Sequence, residues 1–281
     1  MSDGTLSPKK ILMGALTAAV FAALLAAFIF PMFFMLSTSF KTLREANITP
    51  PSLIPSEFHP ENYAAAWRRM NFPHYLLNSV FITVCTIAGQ LLVCVPCAYA
   101  FAKKQFRFKN ILFALVLFDL VVPAQAVFLS YYLIESRLGW IDTYRGLVVP
   151  FAYSAYTIFF LTQGFKTVPD EILDAARMDG SSEIQIIALI MAPIAKPVII
   201  AATLFTFAYK WNDYFWTSIL TTSEAVRTIP MAIQNLMPTD HTIREWHIIM
   251  SGNVMLFAPM FVIYILAGKY IKESFTYRGG R

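Results

Sequence analysis

Six long apolar runs constrain the fold of this 281-residue chain more than any other feature. Each run has about 20 residues or more, the length that an α-helix needs to cross the hydrocarbon core of a bilayer. Backbone polar groups find no water there, so each run predicts a helix that satisfies its own hydrogen bonds. The sequence therefore predicts an all-α, polytopic membrane protein that forms a single transmembrane domain over residues 1–281. The runs cover residues 11–36, 76–101, 110–134, 146–165, 197–221 and 249–268.

Composition favours the same class of protein. Hydrophobic residues make up 57% of the chain and charged residues only 14%, whereas soluble proteins carry about 25% charged residues. Lys9 and Lys10 precede the first run, as the basic region of a signal peptide would. The run is longer than the roughly 7–15 residues of a signal core, so we expect a retained first span.

The distribution of Lys and Arg predicts the orientation. Six spans leave both chain ends on one side of the membrane, and that side holds most of the 22 basic residues. Because cytoplasmic loops carry such an excess, both termini, including the tail over residues 270–281, are expected in the cytoplasm. The same loops account for the net charge of +5. The sequence offers no soluble domain with a basic surface, so it does not predict nucleic-acid binding.

The loop over residues 166–196 carries the signals of a short helix. Pro169 suits the first turn, where its missing N–H costs nothing. Asp170 and Glu171 place negative charge at the positive end of the helix dipole. Gly180 can adopt the left-handed conformation that ends a helix. A helix of about ten residues is marginal in water, so we expect something to pack against it.

A second helix is predicted directly after this one. Ser181 or Ser182 can cap it, and its apolar stretch stops near Pro193. In the first helix, the small pair Ala175 and Ala176 offers a surface that a partner's groove can approach closely. The alternative is an ordinary amphipathic connector that rests on its own helix bundle.

A family resemblance appears at this loop. The stretch Asp174-Ala175-Ala176-x-x-Asp179-Gly180, with Pro193 thirteen residues after the glycine, resembles the EAA motif of ABC importer permeases. Asp174 stands where that motif has glutamate, so the charge is kept on a shorter side chain. Three further stretches are similar to the carbohydrate branch, and to its maltose-type second-permease subunits above all. They are Pro60–Tyr63, Leu138–Pro150 and Trp211–Trp216.

The resemblance implies a type I ABC importer permease fold in the bacterial inner (plasma) membrane. It implies a heterodimer with a sister permease, two ATP-binding-cassette ATPase subunits that bind ATP and Mg, and an extracytoplasmic solute-binding protein. The solute would be a sugar or related polyol, moved by alternating access. The chain itself would bind no cofactor and carry no catalytic residue. The loop would be the coupling helix that docks on an ATPase, through Asp170, Glu171, Asp174, Ala175, Ala176, Arg177, Asp179, Gly180 and Pro193.

The C-terminal tail is also similar to the tails of maltose-type permeases, which reach between the ATPase subunits. The alternative is a frayed terminus that is basic because it is cytoplasmic. The residues concerned are Arg278, Gly279, Gly280 and Arg281.

Ionisable residues within the apolar runs need a reason, since charge at membrane depth is costly. Lys210 and Asp213 lie near the midpoint of the run 197–221 and share a helical face, and Asp119 lies near the middle of the third run. They can pair internally and hold helices together. Alternatively, together with Trp211 and Asn212, they line the translocation pathway, where Lys210 can also serve an anionic solute.

Two other classes of function remain open at this point. An ion-coupled secondary transporter could use the same charged residues, although six spans are few and no inverted repeat is evident. A membrane enzyme finds no support, because no H-E-x-x-H metal motif, G-x-S-x-G elbow or phosphate-binding loop occurs.

Cys94 and Cys97 form a C-x-x-C without a second pair, so we expect packing residues rather than a metal site or disulfide. Pro96, Pro123 and Pro259 fall within runs and are expected to kink helices.

Overall fold

A computed structural model describes residues 8–237 and 243–276, with side chains over 12–237 and 243–269. All regular secondary structure in these ranges is helical. The helices are α1 (Pro8–Ser39), α2 (Leu43–Ala46), α3 (Glu61–Arg69), α4 (Phe72–Lys103), α5 (Lys109–Asp119), α6 (Ala124–Arg137), α7 (Tyr144–Val148), α8 (Ala155–Lys166), α9 (Asp170–Met178), α10 (Glu183–Ile194), α11 (Lys196–Trp211), α12 (Phe215–Leu220), α13 (Ile229–Gln234) and α14 (Trp246–Thr276).

The described helices give up to six membrane spans. Four segments are long and apolar enough to cross a bilayer by themselves: Leu12–Ser39, Phe72–Lys103, Tyr144–Lys166 and Trp246–Lys269. Two bent pairs pass the same test when each pair is counted as one span. These are α5 with α6, bent by 101°, and α10 with α11, bent by 87°.

The third predicted run, 110–134, is broken rather than one helix. Helix α5 ends at Asp119, and α6 begins only after Pro123. Proline lacks the N–H that would continue the ladder, and it disfavours the helical conformation of the residue before it. Here Pro123 itself is extended, with φ of −69° and ψ of 134°. The expected kink is therefore a complete change of direction. Pro96 and Pro259, by contrast, lie inside the uninterrupted helices α4 and α14.

The fourth and fifth runs also differ from single helices. Between α7 and α8 the chain forms a 3-10 turn over Pro150–Ala152, and Ser154 then caps α8. In the run 197–221, α11 ends at Trp211 and α12 begins at Phe215. The Asp213 carboxylate accepts the Trp216 N–H at 3.0 Å, which satisfies one of the donors at the start of α12. A polar side chain thus favours a new helix start where hydropathy alone predicts continuity.

The chain divides into two compact units. The first unit comprises the chain up to Met70 together with Asn235–Phe257. Within it, α3 begins directly after Pro60. Its Asn62 amide donates to the carbonyls of Ser39 and Lys41, both at 2.9 Å.

The second unit comprises Asn71–Gln234 together with the chain from Ala258. Its centre is α4, which packs against α8 and α11, and α8 in turn packs on α11. Gly164 permits the close approach of α8 and α11, because a Cβ at this position would overlap the Val198 side chain. One apolar cluster near the C-terminal end of α4 includes Cys94, Ala98 and Tyr99. It continues into α9 and α10 and supports the residues described next.

Candidate functional site

The loop between α8 and α11 folds as two helices joined by a sharp turn, as predicted. Helix α9 ends at Met178, and Gly180 has a φ of +81°, the left-handed conformation expected of a terminating glycine. Ser182 then starts α10 with a capping box, in which its hydroxyl and the Gln185 side chain each accept a backbone N–H of the other. Local sequence signals fully account for this turn.

One face of α9 rests on its own chain. Leu173, 1% exposed, and Ala176 are buried in the cluster that includes Tyr99, Phe165 and Ile186. The helix is therefore seated without a second protein on this side. The sequence left open whether a partner or its own bundle supports this helix, and its own bundle supports one face of it.

A cluster of charged side chains, hereafter the elbow cluster, ties α9 and α10 to the end of α4. Lys103 Nζ lies 2.7 Å from Asp170 Oδ1, and this ion pair lowers the pKa of Asp170. Lys104 pairs with Glu183 at the start of α10. The Tyr99 hydroxyl donates to the other Glu183 oxygen at 2.6 Å.

Arg177 completes the elbow cluster. Its guanidinium donates to Asp174 at 2.6 Å, to Glu183 at 3.2 Å and to the Tyr99 hydroxyl at 3.1 Å. Because one guanidinium binds both helices and α4, a displacement of α9 must either break these bonds or move α4. The elbow cluster can therefore transmit movement mechanically.

The residues predicted to dock on an ATPase fall into two groups. Glu171, Ala175 and Asp179 are exposed and lie within a free face that also carries Met178, 88% exposed. The others mostly contact their own chain: Ala176 is buried, and Asp170, Asp174 and Arg177 belong to the elbow cluster. Pro193 lies in the last turn of α10 and is exposed.

Sequence reasoning missed the partners of this loop on α4. Lys103 and Lys104 counted only among the basic residues that predict orientation, and neither Tyr99 nor Glu183 was predicted as a site residue. No local signal identifies them, since 65 to 84 residues separate the partners along the chain. The predicted tail residues 278–281 lie outside the described residues.

A second candidate site is a cavity of about 490 Å³ in the second unit, hereafter the polar cavity. It is bordered by α4, by the turn before α8, and by the C-terminal half of α11. Gln90 on α4 holds these segments together: its Oε1 accepts the hydroxyls of Thr157 and Thr206 at 2.9 and 2.7 Å, and its Nε2 donates to the Phe151 carbonyl at 3.0 Å.

Two of the five predicted pathway residues border the polar cavity, namely Asp119 and Lys210. Lys210 Nζ lies 2.8 Å from Asp213 Oδ2, and both side chains are buried. This agrees with internal pairing, one of the two alternatives for these charges. Trp211 is buried and does not border the cavity, and Asn212 donates to the Ala208 carbonyl of its own helix.

The buried pair has a further carboxylate beside it that the sequence analysis did not consider. Glu135 on α6 is 2% exposed and interacts electrostatically with Lys210. Its two oxygens have no hydrogen-bond partner among the described residues. Thr86, which borders the polar cavity, also has an unpartnered hydroxyl within that part of the chain. Neither residue was predicted, because Thr86 lies in the apolar run 76–101 and Glu135 lies just beyond the end of the run 110–134.

Comparison with known proteins places the chain in a family. The family described as "Binding-protein-dependent transport system inner membrane component" matches residues 91–276. The inner membrane ABC transporter permease protein YcjP of Escherichia coli strain K12 is 30% identical over 255 residues, which cover 89% of this chain and 90% of that protein. The probable ABC transporter permease protein YurM of Bacillus subtilis strain 168 is 28% identical over 250 residues, which cover 88% and 81%.

Two further likenesses agree. The sn-glycerol-3-phosphate transport system permease protein UgpE of Yersinia pestis is 28% identical over 227 residues, which cover 79% of this chain and 81% of that protein. A solved chain of a bacterial ABC transporter involved in the import of the acidic polysaccharide alginate shares the fold, with a TM-score of 0.84 at 21% identity over 95% of this chain and 99% of that one. This chain therefore belongs to the family of inner-membrane components of binding-protein-dependent transport systems, as a non-catalytic ABC importer permease subunit with the type I permease fold.

Proposed function

We propose that this permease moves a sugar or related polyol into the cytoplasm by alternating access, with α9 docked on an ATPase subunit. Separate ATPase subunits bind ATP and Mg, a sister permease completes the membrane pore, and an extracytoplasmic binding protein delivers the solute. Relatives named for sn-glycerol 3-phosphate and for alginate support a hydroxylated solute. Both termini lie in the cytoplasm in this proposal, as the basic residues predict.

The observation that carries the proposal is the two-sided environment of α9. Leu173 and the elbow cluster fix one face to α4, while Glu171, Ala175 and Met178 leave the opposite face free. Small Ala175 lies between the two longer side chains, at helical spacing. A groove on a partner can approach the backbone closely at such a position.

The same arrangement explains how ATP can act on the membrane. Closure of an ATPase dimer displaces α9, and the bonds of Arg177 and Lys103 carry that displacement into α4. Helix α4 contributes Thr86 and Gln90 to the polar cavity. The assembled transporter would then bind ATP with different affinities in its inward-open and outward-open states. Such a difference in affinity is what a population shift requires.

An ion-coupled secondary transporter is the weaker candidate. The buried charges Glu135, Lys210 and Asp213 would suit ion coupling. The family of the chain instead ties it to a transport system of several components.

The proposal is tested by blocking the free face of α9. Ala175→Trp places a large ring on that face without touching the buried face, so it should abolish co-purification of the ATPase subunit and ATP-dependent uptake into proteoliposomes. Ala64→Trp on α3 is the matched control, since Ala64 is also an exposed helical alanine. It should leave ATPase co-purification unchanged. Retention of the ATPase at normal stoichiometry by Ala175→Trp would contradict the docking site.

A further inference from the structure

The polar cavity contains a buried hydroxyl that no described residue satisfies. Thr86 is 1% exposed, it borders the cavity, and its Oγ1 has no hydrogen-bond partner within the described chain. A buried polar group without a partner is costly, and native structures rarely leave one unexplained. A hydroxyl group of a bound solute is a suitable partner, because it can both donate and accept.

The only cation that borders the polar cavity among the described residues is not available to a solute. The Lys210 ammonium pairs with Asp213 at 2.8 Å and lies 3.5 Å from the centre of the Phe151 ring, so its charge is already partnered. Phe151 itself borders the cavity. The positive charge is therefore neutralised by Asp213 and covered by an aromatic face, and Glu135 adds a second carboxylate nearby.

The remaining charge at the cavity is negative. Asp119 borders it and has no lysine or arginine within ion-pair distance among the described residues. The first turn of α8 also borders it, and its positive dipole end is capped by the Ser154 hydroxyl, which accepts the Thr157 N–H at 3.2 Å. An anion entering the cavity would lose its hydration and gain no unpaired cation in return.

Aromatic rings form much of the cavity wall. Four tyrosines border it, together with Phe151 and Phe205. Tyr156 packs edge-on against Phe205 at 5.5 Å between ring centres, and Tyr131 packs against Trp216 at 5.0 Å. Such rings offer an apolar face to C–H groups and, in tyrosine, a hydroxyl that can hydrogen bond. This combination suits a ring or chain that carries hydroxyl groups and no charge.

We propose that the polar cavity binds an uncharged polyhydroxylated solute through Thr86 and the surrounding aromatic rings, and that it excludes anionic sugars. The inference rests on the proposed transport function and narrows its solute to the neutral class. Lys210 then acts as a structural cation of α11 rather than as a ligand for phosphate or carboxylate. The volume of about 490 Å³ lies within the range of roughly 300–1,000 Å³ found for small-molecule sites.

The test measures equilibrium binding to the assembled transporter in nanodiscs, without the solute-binding protein, so that only the membrane subunits select. The probes are two pairs, each a neutral solute with an acidic counterpart: maltose with digalacturonate, and mannitol with mannitol 1-phosphate. We expect a neutral probe to bind at least tenfold more tightly than its acidic partner. Equal or tighter binding of an acidic probe overturns the proposal, and so does the failure of all four probes to bind.

A pair of variants locates the binding. Thr86→Val keeps the shape of the side chain and removes the hydroxyl, so it should weaken binding of the neutral probe by roughly three- to tenfold. Thr162→Val is the control, because the buried Thr162 hydroxyl donates to the Ile158 carbonyl of its own helix at 2.7 Å, away from the cavity. It should leave binding unchanged. Unchanged binding in Thr86→Val also overturns the proposal.

The outcome is separable from that of the proposed function. ATP hydrolysis by the same preparation, with and without Ala175→Trp, reports docking at α9 independently of any solute. Suppose that docking depends on Ala175, and that no probe binds or an acidic probe binds at least as tightly as its neutral partner. The neutral-solute inference then fails, and the proposed transport function stands. If docking does not depend on α9, the proposed function fails first.

Discussion

Tyr99 and Glu183, 84 residues apart in sequence, are joined by a 2.6 Å hydrogen bond from the phenol to the carboxylate. Tyr99 lies in the last turns of α4, and Glu183 begins α10. Lys104 and Arg177 bind the same carboxylate. This bond links the start of α10, the helix that follows α9, to α4, which borders the polar cavity.

Tyr99→Phe should therefore impair coupling. The ring stays in the apolar cluster, while the lost hydrogen bond should lower the free energy of unfolding by about 1 kcal/mol. We expect ATP hydrolysis to persist while solute uptake falls, so that more ATP is hydrolysed per solute. Proteoliposome assays of both quantities give this ratio.

The control for this variant is Tyr144→Phe. The Tyr144 hydroxyl also donates a 2.6 Å hydrogen bond, to Asn78, far from the elbow cluster. It should lose similar stability without a change in the ratio. An unchanged ratio in Tyr99→Phe, or an equal change in both variants, would show that the elbow cluster does not couple ATP hydrolysis to transport.

The cost of substituting Gly180 should depend on backbone strain rather than on the space around the residue. Its φ is +81°, and nothing lies within 4 Å of an added Cβ. Asn adopts this conformation more readily than Ala or Val. We expect Gly180→Val to cost about 1–2 kcal/mol and to reduce ATPase co-purification, with Gly180→Asn milder. Normal membrane insertion of each variant is the control, and equal behaviour of Asn and Val would argue against the strain.

The Lys210–Asp213 pair should behave as a unit. Lys210→Met leaves Asp213 buried and uncompensated, at a cost of about 3–5 kcal/mol. Adding Asp213→Asn removes that charge and keeps an oxygen for the Trp216 N–H, so the double variant should recover most of the loss. Thermal unfolding of the four members of this double-mutant cycle measures the coupling. Additive losses would contradict the pairing.

Asp142 lies outside the membrane-spanning segments, and it should make the stability of the protein depend on pH. Its carboxylate accepts the N–H groups of Thr222 and Ser223, each at 3.0 Å, and hydrogen bonding to Ser223 contributes most to lowering its pKa. A carboxylate with a lowered folded-state pKa stabilises the fold above its unfolded pKa of about 3.9. That stabilisation is lost as the pH falls through the folded-state value.

Asp142→Asn should therefore lose about 1–2 kcal/mol at neutral pH, and the difference from the unmodified protein should shrink below about pH 4. Melting temperatures between pH 7 and pH 3 test this. Asp179→Asn, at an exposed aspartate, should match the unmodified protein throughout. A constant difference for Asp142→Asn across the range would contradict the charge-dependent bonds.

The sequence predicted those parts of the fold that depend on local composition. Run length and hydropathy identified the apolar segments. Pro169 identified the start of α9, and Gly180 and the serines after it identified the turn between α9 and α10. These signals act over a few residues, so they can be recognised without knowledge of the tertiary fold.

Breaks within apolar runs were harder to predict. Pro123 was expected to kink a helix and instead separates two helices by 101°, because hydropathy does not indicate chain direction. Asp213 was placed in a continuous helix and instead helps to start α12. Both residues act on the backbone beside them: Pro123 lacks an N–H, and Asp213 accepts the Trp216 N–H, and hydropathy records neither effect.

The candidate sites were predicted only in part, because their residues are brought together from positions distant in sequence. The motif residues of α9 follow from sequence. Tyr99 and Lys104 join the elbow cluster only because the end of α4 packs beside α9 and α10. Thr86 and Glu135 have no local signal, because Thr86 is one of several small polar residues in the run 76–101 and Glu135 directly follows the run 110–134. Their significance arises from burial without a hydrogen-bond partner.

Crosslinking from α9 to the ATPase subunit tests the central claim most directly. With the native Cys85, Cys94 and Cys97 replaced, a single cysteine at the exposed Met178 should crosslink to the ATPase in the assembled transporter, whereas one at the buried Leu173 should not. Uptake should require ATP in the same preparation. Absence of a crosslink from position 178, together with uptake that persists without the ATPase, would contradict the account.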